Sequence, residues 1–194
     1  VLGPQGAGKG TQAKRIKAMY GIPHIATGDM IREMMARDTT LSQQLREVYD
    51  RGDLVSDEQM VELIRDRLSR GDTTGGFVLD GFPRTMAQAE ALDELLRELG
   101  RSLDVVFDFQ VPDREELLGR MLRRAAEEGR SDDTPDAIRR RLELYETETA
   151  PLVEYYRTSR GNVVGIHADR SIEEVFNEIE QSLDEVQRHR KVEA

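Results

Sequence analysis

The residues with the plainest chemical content stand at the start of the chain, in Gly3-Pro4-Gln5-Gly6-Ala7-Gly8-Lys9-Gly10-Thr11. Gly3, Gly6 and Gly8 allow backbone conformations closed to other residues. Successive N–H groups can therefore turn inward onto an anion, helped by the positive end of a following helix. The spacing Gly3-x4-Gly8-Lys9, directly after the apolar Val1-Leu2 and before a helical stretch, is that of a phosphate-binding loop in which Lys9 reaches the β- and γ-phosphates. Gly6, Ala7, Gly8, Lys9, Gly10 and Thr11 are expected to cradle the triphosphate. The general motif places Ser or Thr directly after the lysine to hold Mg²⁺. Here Gly10 stands there and Thr11 comes next, so protein contact with the metal is expected to be indirect, through water near Thr11.

A second concentration of chemistry is cationic. The formal net charge is −10 and 34% of residues are charged, a balance that repels nucleic-acid backbones, so no nucleic-acid partner is expected. Lysine occurs only at 9, 14, 17 and 191, so nearly all positive charge is arginine, whose planar fork suits phosphate; genome base composition would give the same bias. Arg120, Arg123, Arg124, Arg130, Arg139, Arg140 and Arg141 crowd one stretch of this acidic chain. Arg120 and Arg124 are four apart and share a helix face, which lets one stack near a donor base while the other reaches phosphate. Arg123, Arg139 and Arg140 read instead as a solvated face. His24, His167 and His189 form no constellation in the sequence and are expected to be structural or solvated.

These groups need elements to position them. Val1-Leu2 reads as the end of a buried first strand, a few residues of which are expected upstream. Thr11 to Tyr20 is a helix stopped by Gly21 and Pro23, and His24-Ile25-Ala26 leads to helical stretches at 29–37, 41–50 and 57–70. Phe77 to Asp80 is a buried strand ending in a carboxylate, Gly81-Phe82-Pro83-Arg84 a turn, Met86 to Leu99 a helix and Val105 to Val111 a strand. Arg114 to Arg124 is helical, Ala125 to Thr134 polar, Pro135 opens one long helix to about Arg157, and Val163 to His167 is a strand before a final helix. Alternating strands and helices predict an α/β fold, a parallel sheet with helices on both faces and ligands beyond the carboxyl ends of the strands. Asp80, at such an end, can orient waters around Mg²⁺ or cap the following turn.

The loop through Gln12 resembles the form found in adenylate kinases, and Asp80-Gly81-Phe82-Pro83-Arg84 resembles that family's second signature. The likeness continues through Thr27-Gly28-Asp29-x2-Arg32, Gly52-Asp53-Leu54-Val55, Gln88, Arg124, Gly129-Arg130-x-Asp132-Asp133 and Arg141-Leu142-x2-Tyr145. It implies a P-loop NTPase-type sheet as one domain over 1–194, with a core of about 1–26, 57–124 and 134–194. A helical NMP-binding insertion at about 27–56 and a short lid at about 125–133 would complete it. It also implies reversible transfer from MgATP to AMP, giving two ADP.

The resemblance assigns roles residue by residue. Asp53, Leu54 and Val55 would wall the acceptor base, Gly81, Phe82 and Pro83 belong to the same AMP site, and Arg32 with Arg84 would hold the acceptor phosphate. Thr27 and Gln88 match the adenylate members, and a Gln amide can donate to and accept from an adenine edge; surface solvation is the plainer reading of each. Arg130 and Arg141 match positions on the transferring phosphates, where guanidinium groups would stabilise transition-state charge; Lys9, Arg84 and Arg124 would share that catalytic work, and Asp80 would serve it by ordering water around Mg²⁺. Ala168-Asp169-Arg170-Ser171 aligns with a backbone contact to the ATP base. Only Ala125-Ala126-Glu127-Glu128-Gly129 separates Arg124 from Arg130, the short lid rather than the long zinc-bearing type, and the chain has no cysteine, so zinc is not expected.

No apolar run approaches the roughly 20 residues of a membrane span, so a cytoplasmic protein with no membrane partner is expected, and a monomer. Two other readings stand beside this one: the same chemistry on CMP, UMP or GMP, and a phosphate-loop switch that hydrolyses ATP slowly against a protein partner.

Overall fold

A computed structural model describes residues 1–37, 39–130 and 132–193. Four short strands carry the sheet: β1 (His24–Ala26), β2 (Val78–Asp80), β3 (Val106–Gln110) and β4 (Val163–His167). β1 pairs parallel with β2, placing Ala26 opposite Asp80, and β3 pairs parallel with β4, placing Gln110 opposite His167. Val1 and Leu2 lie between the two pairs. The Val1 nitrogen donates to Leu79 O at 2.8 Å, Leu2 N to Phe107 O at 2.8 Å, and Phe109 N to Leu2 O at 2.9 Å. The end of the expected first strand is present as a parallel bridge from Leu2 to Asp108.

Both sheet faces are buried, as the near-continuous apolar runs of the strands require. Successive residues point to opposite sides. Val78 and Phe107 pack with Ala13 and Ile16 of helix α1 (Lys9–Tyr20) and with Val175 and Ile179 of α9 (Ile172–Glu193). On the other side Leu79 packs with Leu92 and Leu96 of α5 (Met86–Glu98), and Val106 with Leu152 and Tyr156 of α8 (Pro151–Arg160). Between β1 and β2 come α2 (Thr27–Met35), α3 (Thr40–Asp50) and α4 (Asp57–Leu68), whose Ile31, Leu45 and Ile64 join the Leu79 cluster.

Several boundaries differ from expectation, each for a local reason. α1 begins at Lys9 rather than Thr11, because Gly8 at φ 84 already serves as its N-cap. α4 ends at Leu68, and a 3₁₀ turn over Gly71–Thr73 follows. α6 (Arg114–Glu128) does not stop at Arg124: Ala125 to Glu128 are strong helix formers and add a turn, which Gly129 closes at φ 62. The expected lid is therefore half helix. The long helix expected from Pro135 is α7 (Pro135–Leu144), a π-helical turn over Tyr145–Thr149, then α8. Pro151 lacks the N–H that would continue the α ladder, and just before it the Ala150 N–H reaches back five residues to Tyr145 O at 2.8 Å.

Candidate functional site

The carboxyl ends of the strands open into a cavity of about 500 Å³, the size of a small-molecule site. The loop after Leu2 forms its floor. No side chain caps α1, so its first-turn N–H donors are left for a ligand. Lys9 Nζ donates to Gly3 O and Pro4 O, both at 2.7 Å, so in this conformation it is folded onto its own loop. Burial lowers its pKa to about 8; Asp80 opposes the shift, and Arg84 and Arg124 add to it.

Asp80 ends β2 directly over α1, close enough that a Cβ on Gly10 would lie 3.3 Å from its Oδ2. Burial pushes its carboxyl up, but a hydrogen bond from His24 Nε2 at 3.2 Å and the charge of Lys9 outweigh this and hold it at about 2. The carboxylate is ionised at any physiological pH. Among the described residues no three His, Asp or Glu side chains are grouped so that they could hold a metal ion.

Arginine fills the rest of the wall. Arg84 is half-buried, donates from Nε to Gly81 O at 2.8 Å, and has its pKa lowered by desolvation and by Arg141 and Arg32. It keeps its charge all the same. Neither Arg84 nor Lys9 makes an ion pair with a carboxylate among the described residues. The other guanidinium groups are paired. Arg124 donates to Asp133 Oδ2 at 3.2 and 2.5 Å, and Arg141 bonds to Asp133, to Asp132 at 3.1 Å and to Tyr49 O at 3.0 Å. Arg130 meets Glu128 at 2.5 Å; Arg32 meets Asp29 and the Tyr49 hydroxyl, the latter at 3.0 Å. Arg120 donates to Ala168 O at 3.0 Å, and Arg170 to His167 O at 3.1 Å.

The expected ATP-side residues Gly6, Ala7, Gly8, Gly10, Thr11, Arg120, Arg124 and Arg170 all line this one cavity, as do Arg32, Leu54, Gly81, Pro83, Arg84, Arg130 and Arg141 from the AMP side. A side crevice of about 10 Å³, room for about one water, is lined by Thr27, Asp53, Leu54, Val55 and Gln88. Thr27 is fully buried, and its hydroxyl lies so near Gly81 that a Cβ there would be 2.6 Å away; with φ +84 as well, this position accepts only glycine. Phe82 differs from expectation. Its side chain is 2% exposed in the core with Ile25, Leu79 and Leu92 and lines neither cavity, because the turn after β2 directs it inward.

The sequence reading missed four contributors. Tyr49 contacts Arg32 through its hydroxyl and lies 4.8 Å beneath the Arg141 guanidinium; its signal was to be the one aromatic residue between 27 and 56. Asp132 and Asp133 had been noted only as part of a pattern. His24 was set aside, yet it lines the cavity and holds Asp80. Its place two residues before Ala26, on the strand face that meets Asp80, follows from pairing that no single segment reveals.

Comparison with known proteins fits this geometry. The family model for adenylate kinase matches residues 1–161. An adenylate kinase of Leptospira biflexa serovar Patoc is 47% identical over 182 residues, covering 94% of this chain and 97% of that protein. One of Leifsonia xyli subsp. xyli is 48% identical (95% and 92% covered), and one of Xanthomonas campestris pv. campestris 45% identical (94% and 97% covered). A family model over most of the chain and relatives of that identity along nearly its whole length place the chain in the adenylate kinase family of phosphotransferases.

Proposed function

We propose that Lys9, the α1 N-terminus and the arginine wall align MgATP and AMP head to head in the 500 Å³ cavity for in-line transfer to two ADP. The observation that carries the assignment is the convergence there of Lys9 and Arg84, two half-buried cations without carboxylate partners among the described residues, with the uncapped start of α1. Phosphoryl transfer needs alignment and charge neutralisation more than a protein base, and no residue is assigned as one. Gly6 to Thr11 bind the donor phosphates, and Arg120 with the Ala168–Arg170 backbone flanks the donor base. Thr27, Asp53, Leu54, Val55, Gly81, Pro83 and Gln88 form the acceptor side. Arg32 and Arg84 hold the acceptor phosphate.

Arg124, Arg130 and Arg141 exchange their carboxylate partners for phosphate oxygens, and their loss lowers turnover more than binding. Mg²⁺, held through water by Asp80 and Thr11, would neutralise charge on the donor phosphates. The crevice beside Gln88 must widen to admit a base, so segments 27–56 and 125–133 move, and closing them excludes water as a competing acceptor. Among the described residues no helix is long and apolar enough to cross a membrane. We assign the protein to the cytoplasm, as a monomer that balances adenine nucleotides.

The test is the initial rate with MgATP and, separately, AMP, CMP, UMP and GMP, with Lys9→Met as control. Rapid, Lys9-dependent ADP formation with AMP alone is expected. Faster transfer to another acceptor moves the assignment within the family, and hydrolysis without an acceptor refutes it.

A further inference from the structure

Asp57, the first residue of α4, has no part in the scheme above, yet it touches the group expected to read the acceptor base. Its Oδ1 accepts from Gln88 Nε2 at 2.8 Å and from the Thr85 hydroxyl at 2.9 Å. On the other side, Gln88 Oε1 accepts the Arg84 backbone N–H at 2.8 Å. Gln88 is 2% exposed and lines the small crevice. A carboxylate can only accept and a backbone N–H can only donate, so the two partners together fix which end of the amide is nitrogen. Rotating it by half a turn would set oxygen against carboxylate and N–H against N–H.

We infer that Asp57 is a specificity-determining positioning residue, which locks the Gln88 amide so that its remaining N–H and lone pair match adenine and mismatch 6-oxopurines. The inference rests on Gln88 reading the acceptor base. Two of the four hydrogen-bonding positions of the amide are used by Asp57 and Arg84, leaving one donor and one acceptor for a ligand. Adenine offers an N6–H donor beside the N1 acceptor. Hypoxanthine offers the reverse, an O6 acceptor beside an N1–H donor, and so suits only the rotated amide. Without Asp57, only the Arg84 N–H opposes rotation.

The experiment measures kcat/KM for AMP and for IMP, with KM for ATP alongside, in the wild type and in Asp57→Ala, Asp57→Asn and Gln88→Met. Asp57→Ala is expected to lower the AMP-to-IMP ratio about tenfold, the effect of roughly one charged hydrogen bond, with KM for ATP unchanged. Asp57→Asn, whose amide oxygen still accepts, is expected to keep most of the ratio. If Asp57→Ala does not fold, Asp57→Ser takes its place, because its hydroxyl suits a helix N-terminus but is too short to reach Gln88. A ratio unchanged in Asp57→Ala or Asp57→Ser, both substrates falling alike, makes Asp57 merely structural and overturns the inference. Gln88→Met separates the two levels. If it collapses the ratio while the Asp57 variants do not, only the Asp57 inference fails; if it leaves the ratio intact, the base-reading role of Gln88 fails.

Discussion

Replacing Lys9 with Met is expected to stop catalysis and at the same time stabilise the fold. Burial takes the Lys9 ammonium from 10.5 to about 8, and at about 1.4 kcal/mol for each pH unit this is a penalty of about 3 kcal/mol whenever the group is charged in both folded and unfolded chains. Methionine fills similar volume without that penalty. Its cost is the two hydrogen bonds to Gly3 O and Pro4 O, about 1 kcal/mol each net. Lys9→Met should therefore be more stable than the wild type by about 1 kcal/mol at pH 7, while turnover falls by about 10²- to 10³-fold as a stabiliser of phosphate charge is lost. The pH dependence is the sharper test. Because the folded pKa lies below the unfolded one, the penalty is full below pH 8 and disappears as pH rises to 10.5. Urea denaturation from pH 7 to 10.5 should show the wild type gaining about 3 kcal/mol on the variant across that window, other titrations cancelling in the difference. A constant difference would refute the depressed pKa and, with it, the picture of a desolvated lysine whose charge is reserved for phosphate.

Three further outcomes follow from the same geometry. The pH profile of kcat/KM for ATP should fall above about pH 8 as Lys9 loses its proton, with no limb from Asp80 between pH 5 and 8, since that carboxyl stays ionised down to about 2. Gly52→Ala should destabilise the fold by about 2 kcal/mol or more in urea denaturation, because left-handed backbone costs an alanine about 1–2 kcal/mol and its Cβ would lie 2.5 Å from the rigid Ala137 carbonyl. Asp133→Ala should cost about 3 kcal/mol by the same measurement, because it leaves the buried Arg141 and the part-buried Arg124 each short of a carboxylate; an effect below about 0.5 kcal/mol would show that neighbouring Asp132 suffices.

The glycine spacing, the lysine after it, the alternation of apolar runs with helices and the acidic end of β2 are all properties of single segments. Backbone freedom and hydrophobic period are local, so they could be read without the fold. That was enough to locate the glycine-rich loop, the succession of strands and helices along the chain and the arginines. What the chain alone could not decide was which charges meet. Asp132 and Asp133 lie close to Arg124 and Arg141 in sequence and looked like one more polar stretch, while Tyr49, more than 80 residues away from Arg141, needed the packing of α3 against α7 to come beneath it. His24 reaches Asp80, and Asp57 reaches Gln88, only through strand pairing and the packing of α4 on α5. The turns at Glu128 and at Pro151 were misjudged in another way: a helix ends where capping and a missing N–H outweigh propensity, and polarity by itself reports neither. Local chemistry was determined by the sequence. The pKa values of Lys9 and Asp80, the pairing of the arginines and the orientation of the Gln88 amide were decided only by tertiary structure, because burial and the nearest charge are properties of neighbours in space rather than neighbours in the chain.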